Sequence, residues 1–181
     1  MHCECDRIRC LSYEMLNTVV ITISDKSWQG LREDQSSQVI KDFLAPLEHN
    51  VVGCDVVPDE KEDIAGRIAG WADKGNIDLI LTSGGTGLAQ RDVTPEATLS
   101  VLDKTVPGIV EIMRAETFKI TKSAVLSRSM AGVRGSCLIV NLPGSPKAVR
   151  ECLEVIMPVI PHAVEIIRGE VTEHNTPDRE L

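Results

Sequence analysis

Aromatic side chains are nearly missing from this chain. Two Trp, one Tyr and two Phe make up 3% of 181 residues. A core with so few rings must be aliphatic, which fits a buried Val/Ile/Leu sheet under helices better than a sandwich of aromatic pairs. Positive charge is also short, with 19 Lys and Arg against 27 Asp and Glu and a net charge of -8. That balance argues against a nucleic-acid backbone or an anionic membrane as the main partner. No apolar run approaches the ~18 residues of a membrane span, and no secretory hydrophobic segment leads the chain. The expectation is a cytoplasmic protein with reduced thiols.

Of the six cysteines, Cys54, Cys137 and Cys152 sit in apolar runs and are expected in the core. Cys3, Cys5 and Cys10 fall in a polar extension over residues 1–16. Their spacing is not that of a zinc knuckle and no second ligand pair follows, so the extension reads as a thiol-bearing tail. An apolar fraction of 43% and a charged fraction of 25% suit one soluble domain. It is expected over residues 17–170, followed by a polar tail over 171–181.

Short β-rich runs alternate with helical patterns. Val19–Ile23, Val51–Val57, residues 77–82 and Cys137–Val140 read as strands. Val39, Ile40, Phe43, Leu44 and Leu47 predict a helix over 35–48, and Ile64, Ile68 and Ala72 predict another. Asp59 with Glu62 three residues on resembles a capping box, and Thr94-Pro95 an N-cap followed by proline at N1. Pro107 opens a short helix toward Phe118. Ser145-Pro146 opens one with a Val149, Leu153, Ile156 stripe, and Pro158 and Pro161 restart it. The expected fold is therefore α/β: a single three-layer domain with a mostly parallel sheet and helices on both faces.

In such sheets ligands sit beyond the carboxyl ends of strands. Each unusual loop follows a predicted strand: Ser24–Asp34, Pro58–Glu60, Thr82–Thr94 and Leu142–Lys147. In Thr82-Ser83-Gly84-Gly85-Thr86-Gly87 the bare glycines let backbone N–H groups approach an anion, and the hydroxyls add donors. The loop lacks the lysine of a P-loop, and Gln90 stands where a dinucleotide fingerprint needs its third glycine. Asp59 and Asp92, at the same predicted edge, suit Mg²⁺ beside a phosphate cradle, because that ion takes one or two carboxylates plus phosphate oxygens. Read alone, Asp59 is a helix cap and Asp92 a partner for Arg91. Ser24, Asp25, Gly30 and Asp34 could contact a ligand from the first loop. Pro143, Gly144, Ser145 and Lys147 could do so from the last, where a helix N-terminus meets a positive charge. Ser127-Arg128-Ser129 is a further candidate phosphate holder.

Four stretches, in order, resemble the molybdopterin adenylyltransferase family: ITISDKSWQGLREDQS, VPDE, TSGGTG with RDVTPEAT, and NLPGSPKAV. This is the MogA/MoaB type, also found fused within proteins such as gephyrin. The resemblance covers roughly residues 17–170. It implies ATP and molybdopterin as substrates, Mg²⁺ as cofactor, a homotrimer, and a molybdate-insertion protein acting downstream. It implies transfer of AMP to the terminal phosphate of molybdopterin with release of pyrophosphate. By the match, Asp59 and Asp92 are the family's acidic pair, for catalysis and metal. Gly84, Gly85, Thr86 and Gly87, with Ser145, match its substrate-binding loops. Ser24, Asp25, Gly30, Asp34, Thr82, Ser83, Arg91, Thr94, Pro143, Gly144 and Lys147 complete the expected substrate-binding set. One departure is Ser36-Ser37 after Asp34, where the family often has Ser-Gly. A non-catalytic molybdopterin carrier remains the alternative. A nicotinamide-linked oxidoreductase is made remote by the missing fingerprint after the first strand.

Overall fold

A computed structural model describes residues 15–47 and 49–170. Of the extension expected over 1–16, residues 1–14 lie outside the described residues, as does the tail over 171–181, while Leu16 is buried and already opens the first strand. Six strands form one sheet in the order β2-β1-β3-β6-β5-β4. The strands are β1 Leu16–Ile23, β2 His49–Val57, β3 Leu79–Ser83, β4 Lys104–Thr105, β5 Ala131–Arg134 and β6 Cys137–Leu142. The first four in sheet order are mutually parallel, and β5 and β4 add an antiparallel edge.

Strand alternation divides the core into two clusters. On one face Leu16, Val20, Leu81 and Val140 pack under α2 (Gln35–Leu44), α5 (Pro107–Ile120), α6 (Pro146–Ile156) and α7 (Ile160–Arg168). On the other, Val19, Ile21, Ile80 and Ile139 pack under α3 (Lys61–Ala72) and α4 (Thr94–Leu99). These are the three layers expected from the alternation of strand and helix patterns. In α6 the stripe Val149, Leu153, Ile156 is fully buried, and each such side chain stabilises the fold by about 1.5–3 kcal/mol relative to exposure. Among the described residues, no helix is long and apolar enough to cross a membrane.

Several local expectations are corrected. The first loop contains a four-residue helix, α1 (Asp25–Trp28), capped by the Ser24 hydroxyl, which accepts from Ser27 N–H at 3.2 Å. The helix expected over 35–48 ends at Leu44. The helix opened by Pro107 is not short but runs 14 residues. The connection after it holds a 3₁₀ turn, Lys122–Leu126, and strand β5. Asp59 is not a helix cap: Glu60 holds that position in α3, because the Asp59 carboxylate is turned to the backbone of Asp25. Thr94 is not the cap of α4 either, since its hydroxyl donates to the Gly84 carbonyl at 2.9 Å. Cys54 is exposed rather than in the core, because β2 is an edge strand with one face open.

Candidate functional site

β1, β2, β3 and β6 run the same way, so the turns that follow them converge on one rim. Backbone contacts lock these turns together. Ser24 N–H donates to Val57 O at 3.0 Å and Gly84 N–H to Leu142 O at 3.3 Å. The Ser83 hydroxyl donates to Pro143 O, and that of Ser36 to Gly144 O, both at 2.9 Å. A Cβ on Gly144 would stand 3.3 Å from the Gly84 Cα.

The glycine turn could not be built from other residues. Gly84 and Gly85 have φ of 107° and 62°, a region L side chains rarely adopt. A Cβ on Gly84 would collide with the Ile23 carbonyl, and one on Gly85 with the Thr94 hydroxyl. The bare backbone also makes room for the two carboxylates. Asp59 Oδ1 lies 3.3 Å from where a Gly85 Cβ would be, and Asp92 Oδ2 lies 2.7 Å from the same point on Gly87.

Two cavities open on this rim. The larger, about 530 Å³, is lined by Gly85, Thr86, Gly87, Asp92, the 143–145 turn and Lys147, and also by Arg114, Ser127 and Ser129. The smaller, about 430 Å³, is lined by Ser24, Ser27, Arg32, Asp34, Ser36, Asp59, Ser83 and Gly84. They share Gly85, Gly144 and Ser145. Asp59 thus faces one side of the shared wall and Asp92 the other.

Asp59 and Asp25 brace one another. Asp25 N–H donates to Asp59 Oδ2 at 2.8 Å, and Asp59 N–H to Asp25 Oδ1 at 3.1 Å. Arg91 grips Asp25 through two nitrogens, at 2.9 and 3.2 Å, and Glu60 at 2.9 Å. Arg91 and the Asp59 N–H hold Asp25 below the ordinary carboxylate range. Burial pushes Asp59 up. The Asp25 N–H opposes this, while the negative charges of Asp25 and Asp92 add to it. A positive charge placed beside this half-buried carboxylate would favour its ionised form. Among the described residues no group of three or more His, Cys, Asp or Glu is placed to hold a metal ion. Asp59 and Asp92 are the pair on offer, and two carboxylates fit a hard cation that completes its shell with water and phosphate oxygens.

Not every candidate reaches a cavity. Thr82 is fully buried and accepts from Asn141 Nδ2 at 2.8 Å; Thr94 is buried under the glycine turn. Gly30, Asp25 and Arg91 line neither cavity. Asp34 lines the smaller one while its carboxylate accepts from Ser37 N–H at 3.0 Å as the cap of α2. Arg128 is not open to a phosphate, because its guanidinium is bound to carbonyls of the glycine turn and to Glu96. Sequence reasoning missed Asn141, Ser36 and Arg114. Asn141 bridges Thr82 and Thr98 and lies inside the recognised NLPG stretch; Ser36 ends the first recognised stretch, where it stood out only as part of the Ser36-Ser37 departure, and nothing local marked Arg114.

An open α/β sheet whose loops gather beyond the carboxyl ends of its parallel strands belongs to the class of domains that bind ligands at that rim. The family described as "Probable molybdopterin binding domain" matches residues 19–162, and the chain belongs to it, as its motifs had indicated. It is 42% identical over 161 residues to the molybdopterin adenylyltransferase of Helicobacter pylori J99, covering 86% of this chain and 90% of that protein. It is equally similar to part of the molybdenum cofactor synthesis protein cinnamon of Drosophila melanogaster, covering 88% of this chain and 27% of that protein. The crystal structure of the molybdopterin biosynthesis enzyme MoaB from Thermus thermophilus superposes with a TM-score of 0.81 at 48% identity, covering 86% of this chain and 98% of that one.

Proposed function

We propose that this protein acts in molybdenum cofactor biosynthesis as a molybdopterin adenylyltransferase, moving AMP from ATP to the terminal phosphate of molybdopterin. One observation carries the reading: two cavities of substrate size share the Gly85, Gly144, Ser145 wall, with Asp59 in one and Asp92 in the other. Relatives bearing that enzyme name, which this chain matches over most of its length, support it. The homotrimer and the downstream molybdate-insertion partner implied by the motifs belong to the same proposal.

In this reading molybdopterin fills the larger cavity and ATP the smaller, with the α-phosphate over the shared wall. A phosphate monoester has its second pKa near ~6, so its attacking oxygen is already ionised at neutral pH and needs no general base. That oxygen bonds to the α-phosphorus, the bridge to the β-phosphate breaks, and pyrophosphate leaves. The residues therefore have two tasks, alignment and relief of repulsion between two anions. Glycine-turn N–H groups and Thr86 hold the molybdopterin phosphate. Lys147 and Arg114 offset its charge in an otherwise acidic protein. The N-terminus of α6, where the N-cap Ser145 makes no side-chain capping bond, adds further donors. Asp59 and Asp92 hold Mg²⁺, which when bound neutralises and orients the phosphates.

The test is incubation of the protein with molybdopterin, ATP and Mg²⁺, with adenylylated pterin and pyrophosphate measured together. Equimolar formation of both is expected. Asp92→Asn is expected to bind molybdopterin as wild type does and to turn over at least about 10–100-fold more slowly. Tight pterin binding without any ATP-dependent product would identify a carrier instead.

A further inference from the structure

The Asp92 carboxylate sits at the end of an exposed turn, yet a metal ligand has to be held to within a fraction of an ångström. The turn's own bonds do part of this: Ala89 N–H donates to Asp92 Oδ2 at 3.0 Å and Asp92 N–H to Ala89 O at 2.9 Å. The remaining hold comes from a residue far along the chain. Arg128 lies between the 3₁₀ turn and β5. Its Nε donates to Gly87 O at 2.7 Å, one terminal nitrogen donates to the Asp92 carbonyl, and the other pairs with Glu96 in the first turn of α4. Its backbone N–H donates to Thr86 O at 2.9 Å. One guanidinium thus ties together both ends of the 87–92 turn and anchors them to a helix.

We propose that Arg128 is a positioning residue for the reaction, fixing the Asp92 carboxylate where it can share a metal ion with Asp59. Arg128 lines neither cavity, although Ser127 and Ser129 on either side of it line the larger one. It therefore acts through the turn and not on substrate. A planar fork with five N–H donors satisfies two carbonyls and a carboxylate at once; a lysine ammonium, a single charge on a flexible stem, cannot hold the same geometry. The proposal rests on Asp92 being a metal ligand.

The experiment is a double-mutant cycle on metal affinity, read by Mn²⁺ binding in the presence of ATP, with Arg128→Lys, Asp92→Asn and both together. Arg128→Lys keeps the charge facing Glu96 and the backbone bond to Thr86, so native melting is expected. Its Mn²⁺ affinity should fall by about 10–100-fold, as for other residues that orient a ligand. In the Asp92→Asn background the same change should add almost nothing, because its route to the metal is gone. Arg128→Gly supplied with free guanidinium should recover affinity, which a folding defect alone would not do. Unchanged affinity in Arg128→Lys, or an equal loss in both backgrounds, overturns the proposal while leaving the metal pair intact. An Asp92→Asn variant that binds Mn²⁺ like wild type overturns both.

Discussion

Asp59 is held in a state that costs the free protein stability. Its carboxyl is pushed above the ordinary range first by burial and also by the charges of Asp25 and Asp92. Ionising it is therefore harder in the folded chain than in the unfolded one. The resulting destabilisation is absent below the unfolded pKa and complete above the raised folded one. Asp59→Asn removes the charge and keeps an oxygen for the Asp25 N–H. Its melting temperature at pH 7 is expected to equal or exceed that of wild type, while turnover falls at least about 10–100-fold. A lower melting temperature would show that the ionised carboxylate stabilises the fold. In wild type, protons compete with metal at this group, so half-saturation with Mg²⁺ should shift to higher concentration as pH falls through the raised pKa. An acid limb at the position of an unperturbed aspartate, near ~3.9, would contradict this.

The glycine turn succeeds as a unit because each piece of backbone leans on another. Gly85→Ala would place a methyl against the Thr94 hydroxyl, 3.3 Å from Asp59 Oδ1 and 3.4 Å from Ile23 Cγ2, at a φ of 62°. A loss of about 1–3 kcal/mol is expected, measured as a lower denaturant midpoint at unchanged slope; a wild-type midpoint would mean the turn can rearrange. Much of this was legible in the sequence. β1, β3 and β6 are runs of Val, Ile and Leu buried on both faces, and α6 carries a clean stripe. The glycines and Asp92 stood out because they follow such a run. β5 was hidden because Ala131-Gly132-Val133-Arg134 has little strand character of its own and becomes a strand by pairing with β6. Thr82 looked like a ligand donor, but strand alternation points it inward to Asn141. Ser36 and Arg128 reach the rim from 108 and 41 residues away from the carbonyls they bind, a relation no local pattern records. Asp59 was seen as a cap because spacing cannot show which way a carboxylate turns.

Over the molecule as a whole, one arrangement makes a site from these parts. Parallel strands deliver four turns to one rim, and the antiparallel β5 and β4 close the sheet on the side of β6. The preceding segment carries Ser127 and Ser129 into the larger cavity. A net charge of -8 offers no general attraction for two anionic substrates, so local donors and a bound cation must bring them together. The most direct measurement is a crystal structure of the protein with molybdopterin, Mg²⁺ and an ATP analogue whose α–β bridge cannot be cleaved. The expected result has one ligand in each cavity, the pterin phosphate in line with the α-phosphorus beside Gly85, and the metal touching Asp59 and Asp92. Either ligand bound away from the shared wall, or a metal that touches neither carboxylate, would contradict the account.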